Sequence, residues 1–251
     1  MVRYDRLSAL FARFNLSVTI QAPGSGNLIV LGEDVASPQR IVFSPLGHRP
    51  ELQADDIILL EVHADLGGAG NPLLTALPAQ LSLAVNGDDE TALLVRLLLA
   101  EARAERCGFG SVLSRLAEVL IIRLLRNEIE RGATEPGLLA ALADKRISRC
   151  VVAIHEKPER EWRNEDLAMI AGLSLSRFAE LFRSRLNETP QAYLRRWRMT
   201  LARQDIARGD RIKAISRRYG YASSEAFAKA FHRQFGSNPL TMRHQRSQGA
   251  G

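Results

Sequence analysis

The sequence predicts an α+β protein: a small β region with a helical hairpin, then an all-α half arranged as a double helix-turn-helix. Three observations predict it. Residues 16–86 are rich in Gly and Pro and carry short apolar runs instead of helical periodicity. From Thr91 onward apolar residues recur at helical spacing. The last hundred residues also repeat themselves: Gly172, Phe178, Phe182, Leu186 and Pro190 are answered by Gly220, Phe227, Phe231, Phe235 and Pro239. The offset is 49 residues from Phe178 to Pro190 and 48 at the glycines, so the second copy has one more residue in its turn.

In chain order, the strand runs are Ser17 to Ile20, Leu28 to Leu31, Ile41 to Phe43, Ile57 to Val62 and Leu81 to Val85. Five strands are few for a closed barrel. Leu93, Leu94, Leu97, Leu98 and Ala102 then share one helical face, and Gly108 is expected to end that helix. The next helix carries Val112, Leu113, Leu116, Leu120, Leu124 and Ile129, and Ile121, Ile122 and Leu125 widen its stripe beyond what one neighbour needs. An ordinary internal core and a homodimer face both account for that width. A short helix from about Glu135 to Lys145, started by Thr134 and Pro136, leads to a domain boundary. The expected domains are 1–146, for sensing or dimerising, and 147–251.

Charge divides along the same line. Residues 1–146 hold 14 Lys+Arg against 18 Asp+Glu, whereas residues 147–251 hold 20 against 10. The repeated half is therefore the basic half, and a polyanion is the economical partner, because each phosphate neutralised by Arg or Lys releases condensed counterions. Two cysteines, Cys107 and Cys150, lack a CxxC spacing and are read as buried thiols, so neither a disulfide framework nor a zinc knuckle is indicated. The chain opens on Arg3, Asp5 and Arg6 instead of an apolar leader, and no apolar run reaches the roughly 18 residues of a membrane span. A soluble, cytoplasmic protein is expected.

The basic half reads as helix throughout. Ile147, Cys150, Val151 and Ile154 make an amphipathic opening helix that Pro158 closes. Asn164 has N-cap chemistry, with Glu165 and Asp166 in the first turn. In the first copy Gly172 turns the chain and Ser174 caps a helix that buries Phe178, Phe182 and Leu186. Ser176, Arg177, Glu180 and Arg183 are left on its outer faces. In the second, Ile212, Ile215 and Tyr219 support, Gly220 turns, and Ser223 caps a helix with Phe227, Phe231 and Phe235 inside. Ser224, Glu225, Lys229 and Arg233 lie outside. Phenylalanines at i, i+4 and i+8 are core positions and not a base-stacking platform. Between the copies Pro190 starts a helix to about Ala207, roughly 27 Å long, which places the two reading helices about one turn of duplex apart. Arg195, Arg196, Arg198, Arg203, Arg217 and Arg218 gather around this connector as phosphate contacts. Lys229 and Arg177 are the preferred base-edge candidates, followed by Ser224 and by Glu225, which can accept from cytosine.

These residues carry a resemblance. Residues 164–243 resemble the DNA-binding domain of the AraC/XylS family of bacterial transcription regulators. Leu167-Ala168, Gly172-Leu173-Ser174 and Phe178 to Phe182 look like its first helix-turn-helix. Tyr193-Leu194 with Trp197-Arg198-Met199 looks like its linker helix, and Gly220-Tyr221, Ser223, Phe227, Lys229, Phe231 and Phe235-Gly236 with Pro239 look like its second motif. Two departures stand out: Glu180 beside Ala179 where many members carry a basic residue, and Met242 where an aromatic is usual. Residues 1–146 resemble, more loosely, the cupin-type sensory domain and following helices of one branch of that family, with Gly70-Asn71-Pro72-Leu73-Leu74 and Leu77-Pro78 like its linking segment. The sheet region is shorter than such a domain normally is.

The resemblance implies a sequence-specific regulator that reads two adjacent major grooves of double-stranded DNA. The further partners it implies are RNA polymerase, a small effector and a second copy of the chain. His48, His63, Glu51 and Glu61 do not form a two-His motif at ligand spacing, so neither a metal nor a cofactor is expected. No nucleophile, base and orienting acid can be assembled, so no catalytic residue is named and an enzyme is not expected. Two other readings stay open: an effector-blind DNA-binding protein whose front region only dimerises, and a cupin-like enzyme fused to a DNA tether.

Overall fold

The computed structural model describes residues 5–20, 24–68, 70–85, 89–104, 106–132 and 136–242. In chain order its elements are α1 (Ser8–Phe11), β1 (Ser17–Thr19), β2 (Leu28–Gly32), β3 (Pro38–Phe43), β4 (Ile58–Asp65), β5 (Leu81–Ala84), α2 (Glu90–Ala104), α3 (Phe109–Arg131), α4 (Leu138–Ala143), α5 (Ile147–Glu156), α6 (Asn164–Ala171), α7 (Leu175–Leu186), α8 (Pro190–Arg208), α9 (Ile212–Arg218) and α10 (Ser224–Phe235). They form two compact units, 14–134 and 1–13 with 135–251. The α+β class holds. Among the described residues no helix is long and apolar enough to cross a membrane.

In the first unit the five expected strands make one antiparallel sheet in the order β1-β4-β2-β3-β5. β2 is buried on both faces: Ile29 and Leu31 pack with Val42 and Leu52 on one, while Leu28 and Val30 point to the other. That double burial is why Leu28 to Leu31 is continuously apolar and not alternating. Asn27, fully buried beside β2, is satisfied by the backbone. Its Nδ2 donates to the Ser44 and Ala64 carbonyls at 3.0 and 2.9 Å, and its Oδ1 accepts from the Ala64 N–H at 2.7 Å. Asn71 in the linking segment does the same locally, donating to the Leu66 carbonyl at 2.6 Å and accepting from the Leu73 N–H at 2.9 Å.

The helices α2 and α3 pack as an antiparallel hairpin, since Arg123 in the second half of α3 bonds Glu90 and Thr91 at the start of α2. Ser114 of α3 donates to the Val18 carbonyl of β1 at 2.9 Å, which fixes the hairpin to the sheet edge. Gly108 does not end the first of these helices. α2 stops at Ala104, and Gly108, at φ +84°, is the residue from which α3 starts. Internal packing accounts for Ile121 and Leu125, which are fully buried.

The second unit is all helix. α4 packs against α5 and α7, so the residues before 147 belong with the C-terminal half. Asp144 ties them there: it accepts from the Arg146 and Ile147 N–H groups at 2.9 and 3.1 Å and from Arg185 Nε at 3.1 Å. Burial pushes the Asp144 carboxyl up, but these donors outweigh it and hold the group below the usual carboxylate range. The units therefore divide at 134/135 and not at the 146/147 boundary read from the sequence. Thr134, expected with Pro136 to start the short helix, lies outside the described residues, as do Glu135, Arg3 and Arg243, and the helix itself begins at Leu138. The other addition is α1, which packs on α5 with Leu7 and Leu10 buried. Arg6 Nη1 donates to the Leu142 carbonyl at 2.9 Å, and Gln204 Nε2 to the Arg13 carbonyl at 3.2 Å.

Candidate nucleic-acid interface

Each sequence copy folds as a helix, a glycine turn and a second helix. After α6, Gly172 takes φ +67° and the Ser174 hydroxyl accepts from the Arg177 N–H, at 3.4 Å, to cap α7. After α9, Gly220 takes φ +76° and the Ser223 hydroxyl accepts from the Ala226 N–H at 3.1 Å to cap α10. Left-handed backbone is what the turn requires, and glycine adopts it without a Cβ clash. Each serine satisfies an otherwise orphaned N–H, worth about 1 kcal/mol. Asn164 is not the cap of α6. That position is Arg163, whose N–H donates to Asp166 at 3.2 Å, while Asn164 begins the helix and accepts from Gln191.

Packing decides which face each reading helix shows. Phe178, Phe182 and Leu186 bury one side of α7, and Phe227 and Phe231 one side of α10. Phe235 is half-buried, with the Arg203 guanidinium 5.4 Å from its ring centre. This leaves Ser174, Ser176, Arg177, Glu180 and Arg183 exposed at the first reading helix and Ser223, Glu225, Lys229 and Arg233 at the second, with Ser224 half-buried. Glu180 pairs with Arg177 at 2.7 Å on the α7 surface. The Ser223 hydroxyl holds the Glu225 carboxyl below its ordinary value, so that it stays ionised.

α8 runs 19 residues from a Thr189 cap with Pro190 in its first turn, about 28 Å at 1.5 Å per residue. Its arginines fall into two groups. Arg195 is exposed, and so is Arg217 on α9. Arg196 and Arg198 are half-buried and engaged within the protein, and Arg218 on α9, although exposed, is paired there with carboxylates. Arg196 donates to Glu188 through Nη2 at 2.6 Å and Nε at 3.1 Å. Arg198 donates to the Pro158 and Arg160 carbonyls at 2.7 and 2.9 Å, and burial lowers its pKa. Arg218 donates to Asp205 at 2.6 Å and to Asp210 at 2.9 Å.

Two interior clusters that the sequence reading missed hold the frame. Asp205 is 1 % exposed and accepts from Arg208, from Arg218 and from the Tyr219 hydroxyl at 2.8 Å, joining α8 to α9. Burial first, and this bond second, raise the Tyr219 pKa. The signal was present in the sequence: Asp205 continues the buried Trp197 and Leu201 stripe at i+4 spacing. His155, also 1 % exposed, bonds the Tyr193 hydroxyl through Nε2 at 2.6 Å and stacks on Trp197 with ring centres 4.0 Å apart, joining α5 to α8. Burial, then the Arg196 charge, pulls its imidazole down to about 3. Cys150 is buried as expected, with its thiol pushed up to about 12 by burial, but Cys107 is exposed.

In the sheet unit Glu61 accepts from the Gly24 and Gly26 N–H groups at 3.1 and 2.5 Å, which spends it on a turn. His48 and Glu51 are exposed and His63 half-buried. Among the described residues no group of three or more His, Cys, Asp or Glu side chains could hold a metal ion.

Two helix-turn-helix copies on a shared connector, in a chain that also carries an antiparallel sheet with a helical hairpin, define the class. Residues 167–245 match the family model described as a helix-turn-helix domain, and residues 24–130 the one described as a cupin. The HTH-type transcriptional regulator AlkR of Acinetobacter baylyi is 34% identical over 194 residues, which is 75% of this chain and 63% of that protein. The RCS-specific HTH-type transcriptional activator RclR of Escherichia coli is 34% identical over 171 residues, 66% of this chain and 60% of the relative. The chain thus spans about three fifths of the length of these curated relatives. An AraC-type transcriptional regulator from Chromobacterium violaceum is a similar solved structure, at 25% identity and TM-score 0.39 over 41% of this chain and 93% of that one. Residues 167–245 of this chain are thus similar to the helix-turn-helix family and residues 24–130 to the cupins, and the relatives named here are HTH-type transcriptional regulators.

Proposed function

We propose that the protein is a sequence-specific transcription regulator that lays α7 and α10 into successive major grooves of double-stranded DNA. The observation that carries this reading is the pairing of two capped, phenylalanine-backed helices on one connector in the basic half, each with its polar side exposed. Arg177, Glu225 and Lys229, with Ser176, Ser224 and Glu180 beside them, supply base-edge contacts. Arg183, Arg195, Arg217 and Arg233, with the Ser174 and Ser223 turns, supply backbone contacts. Arg196, Arg198 and Arg218 act first on the frame, because their guanidiniums already serve carboxylates and carbonyls. The relatives' names as transcriptional regulators support a non-enzymatic role.

The cupin unit is the natural seat of a small effector, and its α2–α3 hairpin of self-association, with Leu93, Leu97, Val112 and Val119 exposed on its two helices. The protein works in the cytoplasm, where it answers to RNA polymerase. The test is to sequence the DNA retained by the purified full chain and measure binding to the recovered site. Lys229→Ala is expected to weaken the recovered site about 5- to 150-fold, the 1–3 kcal/mol of one base contact, and random duplex far less. Equal loss on both would make Lys229 a backbone contact, and retention of no enriched sequence would remove the proposal.

A further inference from the structure

Between α8 and α10 lies a cleft of about 250 Å³, whose walls include Glu188, Arg195 and Arg196 on one side and Tyr221, Arg233 and Gln234 on the other. Three guanidiniums and one carboxylate meet there. Glu188 and Arg196 cancel one another through their two hydrogen bonds, and Arg196 is held further by the Tyr193 ring 5.1 Å away. Arg195 and Arg233 are both exposed and come from different helices. Both act on the same group: burial raises the Tyr221 pKa, while the charges of Arg198, Arg195 and Arg233 oppose that rise. Two positive charges, with the only lining carboxylate already committed to Arg196, thus share one concavity, and an anion seated there meets both.

We propose that this cleft is an oxyanion site that takes a phosphate group between the connector α8 and the second reading helix α10. The planar forks of Arg195 and Arg233 offer paired N–H donors to phosphate oxygens, and the Gln234 amide and Tyr221 hydroxyl add neutral donors. The cleft is smaller than the roughly 300–1,000 Å³ of a drug-sized pocket, so it admits a phosphate group and little more. Its walls come from the connector α8 with Glu188 just before it, and from the second helix-turn-helix copy through Tyr221, Arg233 and Gln234. A backbone phosphate of duplex DNA and a free phosphate compound present the same oxygens here. The first source rests on the DNA-binding reading above, and the second does not.

The experiment compares the full chain with Arg195→Ala/Arg233→Ala and with Gln234→Leu, which keeps the charge and removes the amide donor from the cleft. One arm follows thermal unfolding with inorganic pyrophosphate against chloride at equal ionic strength. The other follows binding to a random-sequence duplex over a salt series. If the cleft takes backbone phosphate, the slope of log affinity on log salt falls by about one in the double variant, Gln234→Leu weakens binding, and pyrophosphate gives no shift beyond chloride. If it takes a free anion, pyrophosphate raises Tm by a few degrees in the parent chain and in neither variant, while the salt slope is unchanged. A pyrophosphate shift in a chain that binds no DNA would sink the regulator reading and keep the site. Equal slopes together with no pyrophosphate-specific shift overturn the proposal.

Discussion

At the scale of single residues, the arginines of the basic half separate by what they already hold. Substituting Arg195, Arg217 or Arg183 by Ala is expected to leave Tm within about 1–2 °C, since exposed substitutions usually fall within ±0.5 kcal/mol. Asp205→Ala is expected to lower stability by roughly 1–3 kcal/mol, because the buried Tyr219 hydroxyl loses its acceptor while Arg208 and Arg218 can rehydrate. Thermal unfolding checks both, and an Asp205→Ala protein as stable as its parent would show that the α8–α9 joint does not depend on this carboxylate. His155 gives a pH signature. Its folded pKa, about 3, lies below the ordinary 6.5, so between those values the unfolded chain binds a proton that the folded one refuses. Stability is therefore complete above about pH 6.5 and falls as the pH drops toward 3, by at most about 1.4 kcal/mol per unit from this group. His155→Phe should flatten that fall in denaturant titrations across the window, and an unchanged slope would mean that the imbalance lies elsewhere. Sequence patterning found the charges but not their partners. Nothing in the spacing of Arg195, Arg196 and Arg198 says that the second meets Glu188 and the third two carbonyls, because those partners come from other segments.

At the scale of elements, the sequence was legible wherever one element carries its own period or punctuation. The five strands, the glycine turns, the serine caps and the Pro190 start all follow from local chemistry, and all are present. The short pieces were not legible. α1 has four residues, too few to show a helical period, and its pairing with α5 is a long-range fact. Gly108 was misassigned because a glycine between two helices can close the first or open the second, and only the backbone tells which. The caps predict a graded effect. Ser223→Ala removes the hydrogen-bonded cap of α10 and should cost about 1 kcal/mol, seen as faster amide exchange in its first turn. Ser223→Gly should cost only a few tenths. If the two substitutions behave alike, the hydroxyl is not what holds the helix start.

At the scale of the whole molecule, the C-terminal unit is assembled from both ends of the described chain. Leu10 is fully buried there, so Leu10→Ala should destabilise that unit by about 2–5 kcal/mol although it lies far in sequence from any helix-turn-helix. Unfolding followed by a C-terminal probe such as Trp197 fluorescence would report this, and an unaffected midpoint would show that α1 adds nothing. The sheet unit is thus a long excursion that departs after residue 13 and returns at residue 135. Once folded, it replaces a long stretch of random coil between α1 and the helices after it, which shortens the chain that α1 would otherwise have to search before reaching α5. Rigidifying the excursion raises the local supply of α1 at its seat, and melting it dilutes that supply. Even without any touching surface between them, the two halves would therefore exchange stability through the entropy of the tether alone.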